Sequence, residues 1–392
     1  MMKNKFPLRG PVWGMIFALA VMAACVHPGQ ENTGVEMVPA SDIAGTGSEQ
    51  RPSNESLSPA SLPNTQENPP SVINPLTGLP ATDAALLDRR PVMVKVSNFP
   101  REGRPHAGLS FADIVFDYFI GYGTNRFLAV FYGNDAYKIG PVRSGRLVDA
   151  QLVTMYSGIL GYGSADENTD TELVGKLGQY ALSHLEADCP VFCGTDTHGA
   201  TGVYANSAAI SDHISTLGLE NEQPDLHGMV FDPAFPRGGK PAQEAHILFN
   251  YYNRGEWRYD APSGSYLRWI EDMEDDAEEF EMIPLMDRLT GEQLAFNNII
   301  VLLTPYTELA PSAHAIDMWG NKTGLPAYFF RDGILLQGSW KTTNPSDPIQ
   351  FFDQDGEAMA LKPGNSWIVL AGLSSSFKEI NDGVWEMFFF LP

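Results

Sequence analysis

Cysteine is scarce in this 392-residue chain: only Cys25, Cys189 and Cys193 occur. There is no second cysteine pair and no histidine pair at finger spacing, so no zinc site and no other metal is expected. Basic residues are also few, 25 against 48 acidic ones, for a net charge of −23. A surface this acidic repels phosphate backbones and anionic headgroups, so neither nucleic acid nor a peripherally bound lipid surface is an expected partner. The familiar catalytic signatures are missing as well: no His-Glu-x-x-His, no Gly-x-Ser-x-Gly and no Walker loop. Gly121-Tyr122-Gly123 and Gly161-Tyr162-Gly163 begin like nucleotide loops but lack the third glycine, and no cofactor is expected.

The apolar run Val12–Ala24 is well short of the roughly 20 residues a spanning helix needs. It follows Lys3, Lys5 and Arg9 and ends in Met22-Ala23-Ala24-Cys25. A basic start, a short apolar stretch and a small-residue end describe a secretory leader rather than a membrane span. The end looks like a lipobox, with Met22 where Leu is usual. Residues 1–24 are therefore read as a lipoprotein signal peptide and Cys25 as the lipid attachment site, which places the chain on the extracytoplasmic face of a bacterial membrane. Residues 25–73 are rich in Ser, Pro, Asn, Gln, Gly and Glu without apolar periodicity, which predicts a disordered tether. Outside the cytoplasm Cys189 and Cys193 have two readings, a disulfide across the turn at Pro190 or two buried free thiols.

From Asn74 onward the chain carries enough apolar material for a sizeable core, at 43% hydrophobic and 11% aromatic residues overall. The expected fold is α+β: a layered mixed α/β N-terminal domain over 74–225 and a mainly β region over 226–392. Alternation predicts a strand at 92–96; 114–120 and 126–132 read as strands joined by the hairpin loop Gly121-Tyr122-Gly123-Thr124-Asn125, and a short helix at 83–89 ends before Pro91. Helical spacing covers 147–156 and a buried strand 159–163. Thr169-x-x-Glu172 is read as a capping box opening a helix whose apolar face runs through Leu173, Leu177, Tyr180, Ala181 and Leu185. Another helix starts at Ser207 and stops at Gly218. Further on, Ile299–Leu303 and Trp367–Leu370 read as strands, and Asp332-Gly333 turns a hairpin between 328–331 and 334–336.

One polar run stands inside apolar surroundings, Lys138-Ile139-Gly140-Pro141-Val142-Arg143-Ser144-Gly145-Arg146. Two arginines and a serine at a helix start can hold a carboxylate or phosphate. The competing reading is internal salt bridging to Asp113, Asp117, Asp149 or Asp166. Around this run the sequence resembles the YerB-like lipoprotein family, which is built around two domains of unknown function. The matching stretches include Asn74-Pro75-Leu76-Thr77-Gly78, Arg104-Pro105-His106-Ala107-Gly108-Leu109-Ser110 and Gly140-Pro141-Val142-Arg143-Ser144. In the second half they are Tyr328-Phe329-Phe330-Arg331-Asp332-Gly333, Gly338-Ser339-Trp340 and Leu361-x-Pro363-Gly364-x-Ser366-Trp367-Ile368. The resemblance covers residues 74–371 and implies an envelope lipoprotein with a mixed α/β domain. The family's Arg-x-x-Pro-His-Asn-type segment has only His198-Gly199-Ala200-Thr201 as its nearest counterpart, so no role passes to His198.

Three functions follow. The first is a non-catalytic binder of an anionic or polar envelope component, cell-wall glycan or an envelope protein among them. Its site residues would be Arg104, His106, Arg126, Arg143, Ser144 and Arg146, with Asn98 assisting. The second is a hydrolase of envelope glycan using two carboxylates among Asp113, Asp117, Asp166 and Glu167. The third is a structural or assembly lipoprotein with no small ligand. The acidic run at 271–281 and Asp353-x-Asp355-Gly356 are read as a solvated loop and a hairpin turn rather than calcium sites.

Overall fold

The computed structural model describes residues 72–195, 201–273 and 279–391. The leader, Cys25 and the tether up to residue 71 lie outside the described residues, as do His198, Glu274, Asp275, Asp276 and Glu278.

The N-terminal half supplies strands β1 (Val92–Ser97), β2 (Ile114–Gly121), β3 (Thr124–Phe131), β4 (Ile159–Tyr162) and β5 (Ala181–Ser183). It also supplies the helices α1 (Leu147–Met155), α2 (Glu167–Leu177) and α3 (Ser207–Thr216). The C-terminal half is almost wholly strand. Its principal members are β6 (Glu244–Asn250), β7 (Asn253–Asp260), β8 (Ser265–Asp272), β9 (Asn298–Thr304), β10 (Leu325–Arg331), β11 (Ile334–Lys341), β12 (Gln350–Phe352), β13 (Ser366–Gly372), β14 (Ser376–Asn381) and β15 (Val384–Phe388). Sheet dominates the described chain, and helices are few.

The larger sheet runs β12-β11-β10-β9-β13-β2-β3-β1-β4-β5. It crosses from one half of the sequence to the other at β13, which pairs in parallel with β2 from Ile114–Ser366 to Tyr118–Leu370. The boundary near residue 225 thus divides the chain but not the sheet. A second sheet is built on β8-β7-β6-β15-β14. Trp257 of the second sheet meets Trp367 of the first edge to face at 5.1 Å, with Phe296 and Phe127 around them. Aromatic edge-to-face packing between two inner sheet faces builds the central core.

Local chemistry sets the element ends. Asp332 and Gly333 both take positive φ (53° and 72°), as the two-residue turn between β10 and β11 requires. Helix α2 departs from expectation. It starts at Glu167, because the Asp166 carboxylate accepts the Thr169 N–H at 3.1 Å and caps it; Thr169 spends its hydroxyl on Asp166. It stops at Gly178 (φ 57°), so Ala181 and Leu182 become strand β5 rather than more helix. Cys189 and Cys193 are joined by a disulfide.

Candidate functional site: a cationic crevice

Strands β1 and β4 start side by side, Val92–Ile159 to Val94–Gly161, and then part. The Pro141–Gly145 segment occupies the gap. Ser97 N–H donates to Pro141 O (2.9 Å) and Arg143 N–H to Lys95 O (2.9 Å) on one side. Gly163 N–H donates to Arg143 O (2.8 Å) and Gly145 N–H to Ser164 O (2.8 Å) on the other. Arg143, Ser144 and Arg146 are thereby fixed at the C-terminal ends of parallel strands, where open α/β sheets place ligand crevices.

The sheet register brings further cations to the same place. Ser97, Arg126 and Tyr118 lie in one row across β1, β3 and β2, and Lys95 is two residues before Ser97 on the same face. Helix α1 adds Asp149, whose carboxylate accepts the Arg146 N–H at 2.6 Å and pairs with Lys95 Nζ at 3.2 Å. The Tyr118 hydroxyl sits between Lys95 and Asp149, hydrogen bonded to both. Lys95, Arg126 and Arg146 therefore act on one buried carboxylate, with Arg143 beside the two arginines. Burial, partly offset by Asp149, pushes the Lys95 ammonium down to about 7. Burial, then the neighbouring Arg146 and Arg143 charges, hold the Arg126 guanidinium well below its usual value. Burial lowers Arg146 in the same direction.

Arg126 is 7% exposed. It donates from Nη1 to Ser144 O at 2.7 Å, yet its Nε has no partner among the described residues, and neither has Arg146 Nε. Neither side chain has a described carboxylate within ion-pair distance. Asp149, already paired with Lys95, is the acidic charge that Arg126 and Arg146 share, so buried positive charge exceeds negative here, which is costly unless something balances it. Beside them a notch of about 20 Å³, lined by Arg143, Ser144, Ser164 and His184, opens at the ends of β4 and β5.

Two residues grouped with this site on sequence are elsewhere. Arg126 and Phe127 are adjacent on β3 and point to opposite faces; His106 packs edge-on against Phe127 at 5.2 Å. It is fully buried, donates from Nε2 to Ser97 O at 2.8 Å, and is pushed down to about 3 by burial and Arg104. Arg104 lies on that inner side too, bound to Glu271 Oε1 at 3.1 Å and to Asn98. Both belong to the seam between the sheets. Arg126, Arg143, Ser144 and Arg146 do come together. Lys95, Tyr118 and Asp149 complete the set. Lys95 reads as the polar face of an alternating strand, but all six residues of β1 are buried, and nothing short of the helix over it reveals that.

Of the four carboxylates proposed for hydrolysis, Asp113, Asp117 and Asp166 are committed, and Glu167 is exposed on the first turn of α2. Asp113 accepts from Asn74 Nδ2 and from the N–H groups of Tyr132 and Gly133. It borders a cavity of about 450 Å³ with no second carboxylate in the described lining. Asp117 accepts from Asn125 and Trp367 and faces Arg268 across 4.0 Å, in the inter-sheet core. Burial pushes both acids up to about 6. Asp166 is occupied in capping α2.

Comparison with known proteins agrees with this organisation. Residues 76–220 match the N-terminal domain, and 246–368 the C-terminal domain, of a protein family of unknown function (DUF3048). "Putative lipoprotein YerB" of Bacillus subtilis (strain 168) is 27% identical over 324 residues, 79% of this chain and 89% of the relative. The crystal structure of YerB from Bacillus subtilis superposes with a TM-score of 0.63 at 24% identity, covering 76% of this chain and 96% of that one, which shows the same fold. The chain belongs to the YerB-like family, whose members join these two domains of unknown function.

Proposed function

We propose that this protein is a lipid-anchored, extracytoplasmic binder of an anionic cell-envelope component, held at Cys25 and recognising its ligand through Arg126, Arg143, Ser144 and Arg146. The observation that carries the reading is the buried Arg126 guanidinium, which lies between other arginines and has no described carboxylate partner. A ligand anion balances the excess positive charge that Asp149 alone leaves, and charge-assisted bonds from Arg and Ser fix its orientation. The anchor rests on the leader sequence ending at Cys25 and on the relative from Bacillus subtilis being named a lipoprotein. A paired-carboxylate hydrolase has less support, because Asp113 and Asp117 are already engaged.

One fractionation series tests both parts. Wild type is expected in the membrane fraction. Cys25→Ser should leave the membrane yet still be retained by purified cell-wall material. Cys25→Ser combined with Arg126→Gln and Arg146→Gln should be retained less strongly, through loss of the salt-sensitive part of the binding, while melting normally. Membrane retention of the Cys25→Ser protein would refute the anchor. Undiminished wall retention of the triple variant would refute the site.

A further inference from the structure

The tip of the β2–β3 hairpin carries a residue that the fold does not need there. Tyr122 takes φ 49°, in the left-handed region, and is 77% exposed. With Gly123 (φ 73°) it forms the two-residue turn, at a position where Asn, Asp or Gly would sit without strain. The backbone around it is tightly held. Asn250 and Asn253 both donate from Nδ2 to Gly123 O (2.8 and 2.9 Å), and Thr124 Oγ1 donates to Gly121 O at 2.8 Å. A strained backbone conformation that surrounding contacts enforce, presenting an aromatic ring that buries almost nothing, is a signature of a binding surface rather than of packing.

The loop that pins this tip is itself aromatic. Tyr251 (55% exposed) and Tyr252 (46% exposed) meet edge to face at 4.9 Å, and Tyr251 leans on Phe280 at 5.7 Å. Tyr252 O accepts from Arg101 Nη2 at 2.5 Å and Tyr252 N–H donates to Asn250 Oδ1, so this loop is as fixed as the hairpin. Rigid tyrosines offer flat apolar faces with hydroxyl tips at little entropic cost. The exposed acids beside Phe280 and on the adjoining strands, Asp272, Glu279 and Glu281, outnumber the cations of the loop: Arg254 lies over Phe280 at 5.0 Å, and Arg101 is paired with Glu271. That charge disfavours anionic polymers and anionic membrane surfaces, while carboxylates accept well from hydroxyl groups.

We propose that Tyr122, Tyr251 and Tyr252 form a platform on which an uncharged envelope glycan stacks, the apolar faces of its sugar rings on the tyrosines and its hydroxyls toward the acidic rim. This surface is separate from the arginine crevice and does not depend on it.

The test is a titration with chitotetraose, an uncharged N-acetylglucosamine oligomer, followed by calorimetry, on wild type, Tyr122→Asn and the Arg126→Gln/Arg146→Gln protein. Wild type and the arginine variant should bind alike. Tyr122→Asn should bind at least about tenfold more weakly, while its melting temperature stays the same or rises, because asparagine tolerates the left-handed conformation. That pairing separates a binding residue from a structural one. A fall in melting temperature for Tyr122→Asn would make the ring structural and overturn the proposal. So would absence of binding to wild type, equal binding to wild type and Tyr122→Asn, or capture of the protein by zwitterionic lipid vesicles in place of the glycan.

Discussion

At the scale of single residues, the molecule separates two polar clusters by one strand step. Arg126 points to the crevice, and its neighbour Phe127 points to the seam where His106, Arg104 and Glu271 sit. His106 makes a clean probe of that seam. Its folded pKa, about 3, lies below the ordinary value of 6.5. Below pH 6.5 the unfolded chain therefore binds a proton that the folded chain refuses, so the stability tied to neutral His106 is complete above pH 6.5 and is lost as pH falls toward 3. His106→Phe should cost about 1 kcal/mol at pH 7, for the lost bond to Ser97 O. The gap to wild type should then close by up to about 1.4 kcal/mol per pH unit below 6.5, and reverse between about pH 5.5 and 6. Asp113 and Asp117 titrate in both proteins and cancel in the difference. Denaturant melts across pH 4–7 check this; a gap that widens in acid would mean that His106 is charged in the fold.

At the scale of elements, what was legible in the sequence was local. Alternation marks β1, apolar runs about a glycine loop mark β2 and β3, and Asp332-Gly333 marks the β10–β11 turn, because strand period and turn chemistry act over two to four residues. The α2 cap was misplaced by three residues, since Asp166 and Thr169 are both capping types and only geometry shows which oxygen reaches which N–H. Long-range pairing was not legible. Nothing in Trp367–Leu370 says that this strand lies beside Ile114–Tyr118, some 250 residues earlier, yet that pairing makes one sheet of two sequence halves. The candidate site divided the same way. Arg143, Ser144 and Arg146 were visible as a run, whereas Lys95, Tyr118 and Asp149 join them only through sheet register and helix packing. It follows that residues 74–225 and 226–392, expressed separately, should each fail to give a cooperative melt, because cutting between them leaves β2 and β13 as long apolar edges. A cooperative transition for either piece alone would show that the shared sheet is not required.

At the scale of the whole molecule, a strongly acidic chain concentrates Lys95, Arg126 and Arg146 about one buried carboxylate, with Arg143 beside them, at the end of its main sheet. If those cations exist to be neutralised by a ligand, then an anion should stabilise the fold by mass action, and an excess of 100 times its dissociation constant gives about 2.7 kcal/mol. The most direct measurement is the melting temperature of wild type and of the Arg126→Gln/Arg146→Gln protein, with inorganic phosphate exchanged for chloride at constant ionic strength. Phosphate should raise the wild-type melting temperature and leave that of the variant unchanged, and the phosphate-free variant should melt no lower than wild type. A phosphate-free variant that collapses by the roughly 3–5 kcal/mol expected for breaking a buried ion pair, or a phosphate effect equal in both proteins, would contradict the account.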